Sequence, residues 1–104
     1  SMLAETYLSV SLIASLVSLC AATRKSEDLS RGASPRASLS MASMAKAIAQ
    51  LRGRDFVVPG DVKEVFLPTI AHRVQLSPKA ESQGNTVQQV LKAILDATPA
   101  PRLR

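Results

Sequence analysis

The sequence predicts an all-α fold: a small bundle of four to five helices, with one minimal two-strand bridge at most. Three observations carry this. Apolar residues recur at helical spacing in separate stretches. Hydrophobic residues make up 46% of the chain, but only one Tyr and two Phe are aromatic, and a core of alanine, leucine and valine favours closely packed helices over a β sandwich. Prolines and glycines punctuate the stretches: Pro35 and Pro59 at helix starts, Gly53 at a stop, Pro99 and Pro101 beyond the last. A length of 104 residues suits one domain, 1–104, with a small core.

The first helix is expected from Ala4 to Ala22. Leu8, Leu12, Ile13, Leu16, Val17 and Cys20 cover one side, and Ser11, Ser15 and Ser18 share the other. This is not read as a signal peptide, because no positive segment precedes it and Glu5 stands in its place. It is also too short and serine-rich to span a bilayer. A charged connector, Thr23 to Arg31, follows and is pinned by Leu29.

The second helix is expected from Pro35 to Arg52, with Ala37, Met41, Met44, Ile48 and Leu51 as its apolar stripe. Met41 and Met44 are therefore read as core. Gly53 supplies a left-handed stop, and Arg52 and Arg54 are read as capping charges at the negative end of the helix dipole.

Beyond it, Pro68 is expected to divide the chain into two short helices, Pro59–Phe66 and Pro68–Arg73. Phe56-Val57-Val58 and Val74-Gln75-Leu76 are short β-branched pieces that could pair. Ser77 to Gln83 reads as a loop. A last helix runs from Thr86 to Ala97 on a stripe of Val87, Val90, Leu91, Ile94 and Leu95. Residues 99–104 are expected to form a flexible tail.

Net charge is +5, from 13 basic and 8 acidic residues that are interspersed, which describes a solvated surface better than a nucleic-acid footprint. The lone Cys20 excludes an internal disulfide, reads as a small buried hydrophobe and fits a reducing, cytoplasmic setting. With one histidine and one cysteine, no metal site can be assembled. His72 is expected as a packed or hydrogen-bonded residue at a helix end.

The residues that point to chemistry are Ser34-Pro35-Arg36. Ser34 suits a helix N-cap and Pro35 the first helical position. Arg36 then falls in the first turn, where the helix dipole disfavours a cation by about 0.3–1 kcal/mol. The misfit makes sense if an anion is to be held: free N–H groups and a guanidinium together form a phosphate-binding corner. Arg36 lies about 100° from the apolar stripe, at 3.6 residues per turn. It shares a face with Ser40, Ser43 and Ala47, so it points away from its own core.

Gly32-Ala33-Ser34-Pro35-Arg36-Ala37 resembles the sensor-two motif of the MoxR-type AAA+ ATPases, in the small helical lid that follows their nucleotide-binding core. The resemblance extends to Ala22-Thr23-Arg24, Leu51-Arg52-Gly53-Arg54-Asp55-Phe56-Val57, Pro59-Gly60-Asp61-Val62 and Ala71-His72-Arg73-Val74, in order and over nearly the whole chain. One departure stands out. The family usually has Thr, Ser or Asp before Pro59, whereas here Val58 leaves the helix uncapped and its start is expected to fray.

The resemblance implies an AAA+ lid bundle whose Arg36 touches the γ-phosphate of ATP bound in a core domain. It implies that Ala33, Ser34 and Pro35 shape the approach to the nucleotide. Arg24 occupies a recurrent position where it touches nucleotide, touches a neighbouring subunit, or caps the first helix; capping is the reading the residues favour. ATP and Mg²⁺ would be held through the core, none bound tightly by this piece alone. The partners implied are the lid's own core, neighbouring subunits of a hexamer and von Willebrand A-domain proteins, in chaperone-like remodelling and metalloenzyme maturation. Ser1-Met2 reads as a cloning remnant, consistent with a piece excised from a longer protein.

No Gly-x-x-x-x-Gly-Lys-Ser/Thr loop is present; the glycines at 32, 53, 60 and 84 are too dispersed to form one. No acidic pair for Mg²⁺ and no nucleophilic triad can be assembled. The chain is therefore not expected to hydrolyse ATP alone. The alternative class is a basic helical nucleic-acid-binding module, with Pro59–Arg73 in the role of a helix-turn-helix. Against it, only His72 and Arg73 could read bases there, and stacking aromatics are scarce. A weaker third option is an interaction adaptor with no nucleotide link.

Overall fold

The computed structural model describes residues 5–98. Five helices are arranged in the order α1 (Val10–Lys25), α2 (Ala37–Leu51), α3 (Pro59–Ile70), α4 (Pro78–Ser82) and α5 (Val87–Ala97). Strands β1 (Leu29–Arg31) and β2 (Gln75–Leu76) join them, and a 3₁₀ turn, Ala71–Arg73, extends α3. The fold is all-α with a minimal two-strand bridge, as the sequence indicates.

The core lies where α2 meets α3 and α1, with α5 closing over α1 and α3. It is built from Leu12, Leu16, Leu19 and Cys20 of α1, Met41 and three alanines of α2, Val62, Val65, Phe66 and Ile70 of α3, and Val90 and Leu91 of α5. Cys20 is buried and unpaired, as expected.

α1 begins at Val10, not near Ala4, which lies outside the described residues. The reason is Ser9, whose extended backbone and side chain, accepting the Leu12 N–H at 3.2 Å, cap the helix there. The residues before it are used differently: Tyr7 makes a parallel bridge to Phe56. The Tyr7 N–H donates to the Asp55 carbonyl at 2.8 Å and its carbonyl accepts from Val57 at 2.9 Å.

The buried face of α2 is Ala37, Met41, Ala45 and Ala49, each 0% exposed. Met44 and Leu51, expected in the core, are 47% and 82% exposed. Packing against α1 and α3 takes this row of residues four apart, three alanines and one methionine, and leaves Met44 and Leu51 outside it. α2 then stops as expected. Gly53, at φ +74°, lets its own N–H bond the Gln50 carbonyl and that of Arg54 bond Ala49.

α3 is one helix, not two. Pro68 sits near its end on the exposed side, so its ring and missing N–H interrupt only the last turn. No helix-turn-helix exists in this stretch. The continuous helix also explains why Phe56–Val58 and Val74–Leu76 do not pair: twelve residues at 1.5 Å each hold them about 18 Å apart, at opposite ends. β2 pairs antiparallel with β1 instead, Leu76 opposite Leu29, and Leu29 is buried.

The expected loop 77–83 contains α4. Ser77 caps it by accepting the Ala80 N–H at 3.1 Å, Pro78 opens it, and Ala80 is fully buried. α5 starts as expected, with a reciprocal box between Thr86 and Gln89. The expected flexible tail, 99–104, lies outside the described residues.

Candidate functional site

The turn that carries Arg36 is fastened to the last turn of α1. Gly32 lies directly on that helix: a Cβ at Gly32 would fall 2.6 Å from Arg24 Cα, Arg24 N and Thr23 C. The next residue, Ala33, is fully buried. Its N–H donates to Thr23 Oγ1 at 2.9 Å, and Thr23 Oγ1 in turn donates to the Cys20 carbonyl at 2.6 Å. Its carbonyl accepts from Arg24 Nη1 at 2.9 Å. Arg24 therefore does not cap its own helix; it ties α1 to Ala33.

Ser34, Pro35 and Arg36 then stand out of the surface. The Ala37 N–H closes a turn on the Ser34 carbonyl at 2.9 Å, and the Ser38 and Leu39 N–H groups bond Pro35 and Arg36 at 3.2 and 3.0 Å. This corrects two expectations. Ser34 does not cap through its side chain; Arg36 is the N-cap residue and no side chain caps the helix. The N–H groups of residues 37, 38 and 39 are also not free, because i→i−3 bonds have taken them. What remains for an anion is the guanidinium, together with the Arg36 N–H, which makes no hydrogen bond among the described residues. Arg36 is exposed, and its side chain has no hydrogen-bond or ion-pair partner among the described residues.

The model of the AAA lid domain matches residues 21–94, a span that includes this turn, α2 to α4 and most of α5. The chain belongs to the AAA lid domain family. Within that family its relatives are of the MoxR type. It is 33% identical to Chaperone MoxR1 of Mycobacterium tuberculosis over 96% of this chain, and 39% identical to Protein MoxR of Methylorubrum extorquens over 67%. It is 31% identical to the uncharacterized protein YeaC of Bacillus subtilis over 83%. A crystal structure from Cytophaga hutchinsonii, provisionally named as an ATPase, superposes on 96% of the chain with a TM-score of 0.86 at 29% identity. The lid spans 21–29% of the length of these curated relatives and 33% of that structure.

The strongest electrostatic feature of the lid is elsewhere. Asp61 is fully buried and gripped by Arg54, Nη1 to Oδ2 at 2.7 Å and Nη2 to Oδ1 at 2.8 Å. The same carboxylate accepts the Val58 N–H at 2.9 Å. The start of α3 is thus anchored from inside the helix, and the expected fraying does not occur. The Arg54 hydrogen bonds, chiefly, hold the Asp61 carboxyl below its usual range against the opposing effect of burial. Arg54 and Arg52 are ion-pair donors between the end of α2 and α3, not dipole caps. Arg52 Nη2 reaches both oxygens of Glu64, at 2.8 and 2.9 Å.

A third feature is a groove between α2 and the end of α3, lined by Ser40, Ser43, Met44, Pro68, Thr69, His72 and Arg73. Arg73 crosses it, donating to Ser40 Oγ at 3.1 Å and to the Thr69 carbonyl at 3.2 Å. His72 is exposed rather than packed, because the 3₁₀ turn carries it out beyond the last turn of α3.

Of the five site residues picked from sequence, the lid sets Ser34, Pro35 and Arg36 in one exposed turn. Ala33 and Arg24 serve as its attachment. Thr23 and Gly32 were missed as parts of that attachment. The available signal was a threonine inside an otherwise apolar helical stripe.

Proposed function

We propose that this lid presents Arg36 to the γ-phosphate of ATP held by the nucleotide-binding core of a MoxR-type ATPase. The carrying observation is a guanidinium without an internal partner, on a turn held at both ends by Ala33 and Ala37. A side chain with no structural task, on a rigid base, is what a phosphate contact requires. The fork can bridge two phosphate oxygens and stabilise charge that builds up during phosphoryl transfer.

Ser34 and Pro35 flank the approach. Ala33 and Arg24 act from behind it. A strip of apolar surface between α1 and α2, lined by Leu8, Ile13, Val17, Leu39 and Ala42, lies on the same side, since Leu39 follows Arg36 by one helical turn. Ile13, Val17 and Leu39 are 46%, 51% and 70% exposed, which suits a surface that rests on a core domain.

ATP and Mg²⁺ belong to that core, because the phosphate loop and metal-binding acids are missing from this sequence. Loss of the γ-phosphate on hydrolysis removes the partner of Arg36 and releases the lid angle. Around a hexameric ring of such subunits, the change would drive chaperone-like remodelling, including metalloenzyme maturation with a von Willebrand A-domain partner, in the cytoplasm. No helix among the described residues is long and apolar enough to cross a membrane.

The test is R36A in the full-length ATPase. ATP turnover is expected to fall more than about tenfold, because a transition-state contact is lost. Unchanged turnover and unchanged nucleotide-driven lid motion would refute the proposal.

A further inference from the structure

We infer that Thr23 and Arg24 are positioning residues for Arg36, a conclusion that rests on the proposed role of that arginine. The last turn of α1 holds both backbone groups of Ala33: Thr23 takes the N–H and Arg24 the carbonyl. Thr23 is fully buried, where valine would fill the same space. Only a hydroxyl can donate to the Cys20 carbonyl and accept from Ala33 at once. Gly32 brings the two backbones to contact distance, so the clamp has no slack.

Two residues, Ser34 and Pro35, separate Ala33 from Arg36. The buried Ala37 fixes the turn from its other end, through its N–H on the Ser34 carbonyl. No side chain among the described residues hydrogen-bonds or ion-pairs with the Arg36 guanidinium, so the backbone sets where it stands. Thr23 and Arg24 set that placement without touching nucleotide. Arg24, although surface-exposed, commits Nη1 to the Ala33 carbonyl.

The experiment is a set of double-mutant cycles in the full-length ATPase: T23V, T23S and R24A, each with and without R36A. T23V and R24A are expected to lower kcat about tenfold or more, the scale of a small misplacement of a catalytic group. T23S restores it. In the R36A background neither T23V nor R24A lowers kcat further, because groups acting through one residue are not additive. An equal fall in both backgrounds would show a general structural role and overturn the inference, as would full activity of T23V and R24A or no rescue by T23S. If T23V does not fold, the exposed Arg24 carries the test, with an unchanged melting temperature required of R24A. Unchanged turnover in R36A alone would instead sink the reading of Arg36, so the two failures are distinguishable.

Discussion

Arg54 and Asp61 form a two-pronged ion pair, 2.7 and 2.8 Å long, that joins the turn after α2 to the first turn of α3. The carboxylate has no exposure to solvent and also accepts the Val58 N–H, so a single side chain replaces the missing cap. The ring of Phe56 lies beneath the guanidinium, 6.0 Å from its carbon.

This pair makes stability depend on acidity in a defined direction. The Asp61 carboxyl ionises below its ordinary value in the folded lid, mainly because Arg54 donates to it. Its contribution is therefore complete above the unfolded value, about pH 4, and is lost as pH falls through the lower folded value. Urea titrations from pH 7 to pH 2.5 should show the wild type losing stability below about pH 4. D61N should start less stable at pH 7 and lose less over the same window. Parallel curves for the two proteins would show that the pair is not the source.

Three glycines should respond to alanine in three ways. G32A drives a Cβ into the α1 backbone at 2.6 Å and should cost at least about 1–3 kcal/mol, as overpacking does. G53A meets no atom within 4 Å but must adopt φ +74°, at about 1–2 kcal/mol. G60A, in open space at the second position of α3, should stabilise by about 0.4–1 kcal/mol. Chemical denaturation of the three variants checks the order.

Met41 and Met44 report the rotation of α2. M41A opens a cavity against α1 and α3 and should cost about 2–5 kcal/mol. M44A removes a half-exposed side chain and should stay within about 1 kcal/mol. Equal losses would mean that the helix is turned toward the stripe expected from sequence.

Arg36 should be dispensable for folding. R36A is expected to leave the denaturation midpoint of the lid within about 0.5 kcal/mol of wild type. R36K, which keeps the charge but lacks the planar fork, should still leave ATP turnover of the full-length enzyme reduced. A large loss of stability in R36A would mean that the side chain has an internal partner.

The helical class, the Gly53 stop, the Thr86 cap and the exposure of Arg36 were legible because each depends on local chemistry or on helical period. The failures share a cause as well. Hydropathy ranks Met44 and Leu51 above Ala45 and Ala49, but the distance between helix axes decides which of them is buried. Pro68 is a breaker by rule, yet its place on the wet side of a final turn removes the penalty. The partner of Val74–Leu76 followed from the length of α3, which that proline obscured. The Thr23–Ala33 clamp spans ten residues and depends on contact between α1 and the following loop, so no local pattern announces it.

α2 holds no glycine or proline between Ala37 and Leu51, and both of its ends are tied down. It has no weak point at which to bend. A pull on the arginine at its start would therefore arrive at Arg52, about 24 Å along at 1.5 Å per residue, as a tilt of the entire rod. On the proposed role of Arg36 the lid would work as a crank: what a lost phosphate releases at one end, α3 and its ion pairs would receive at the other.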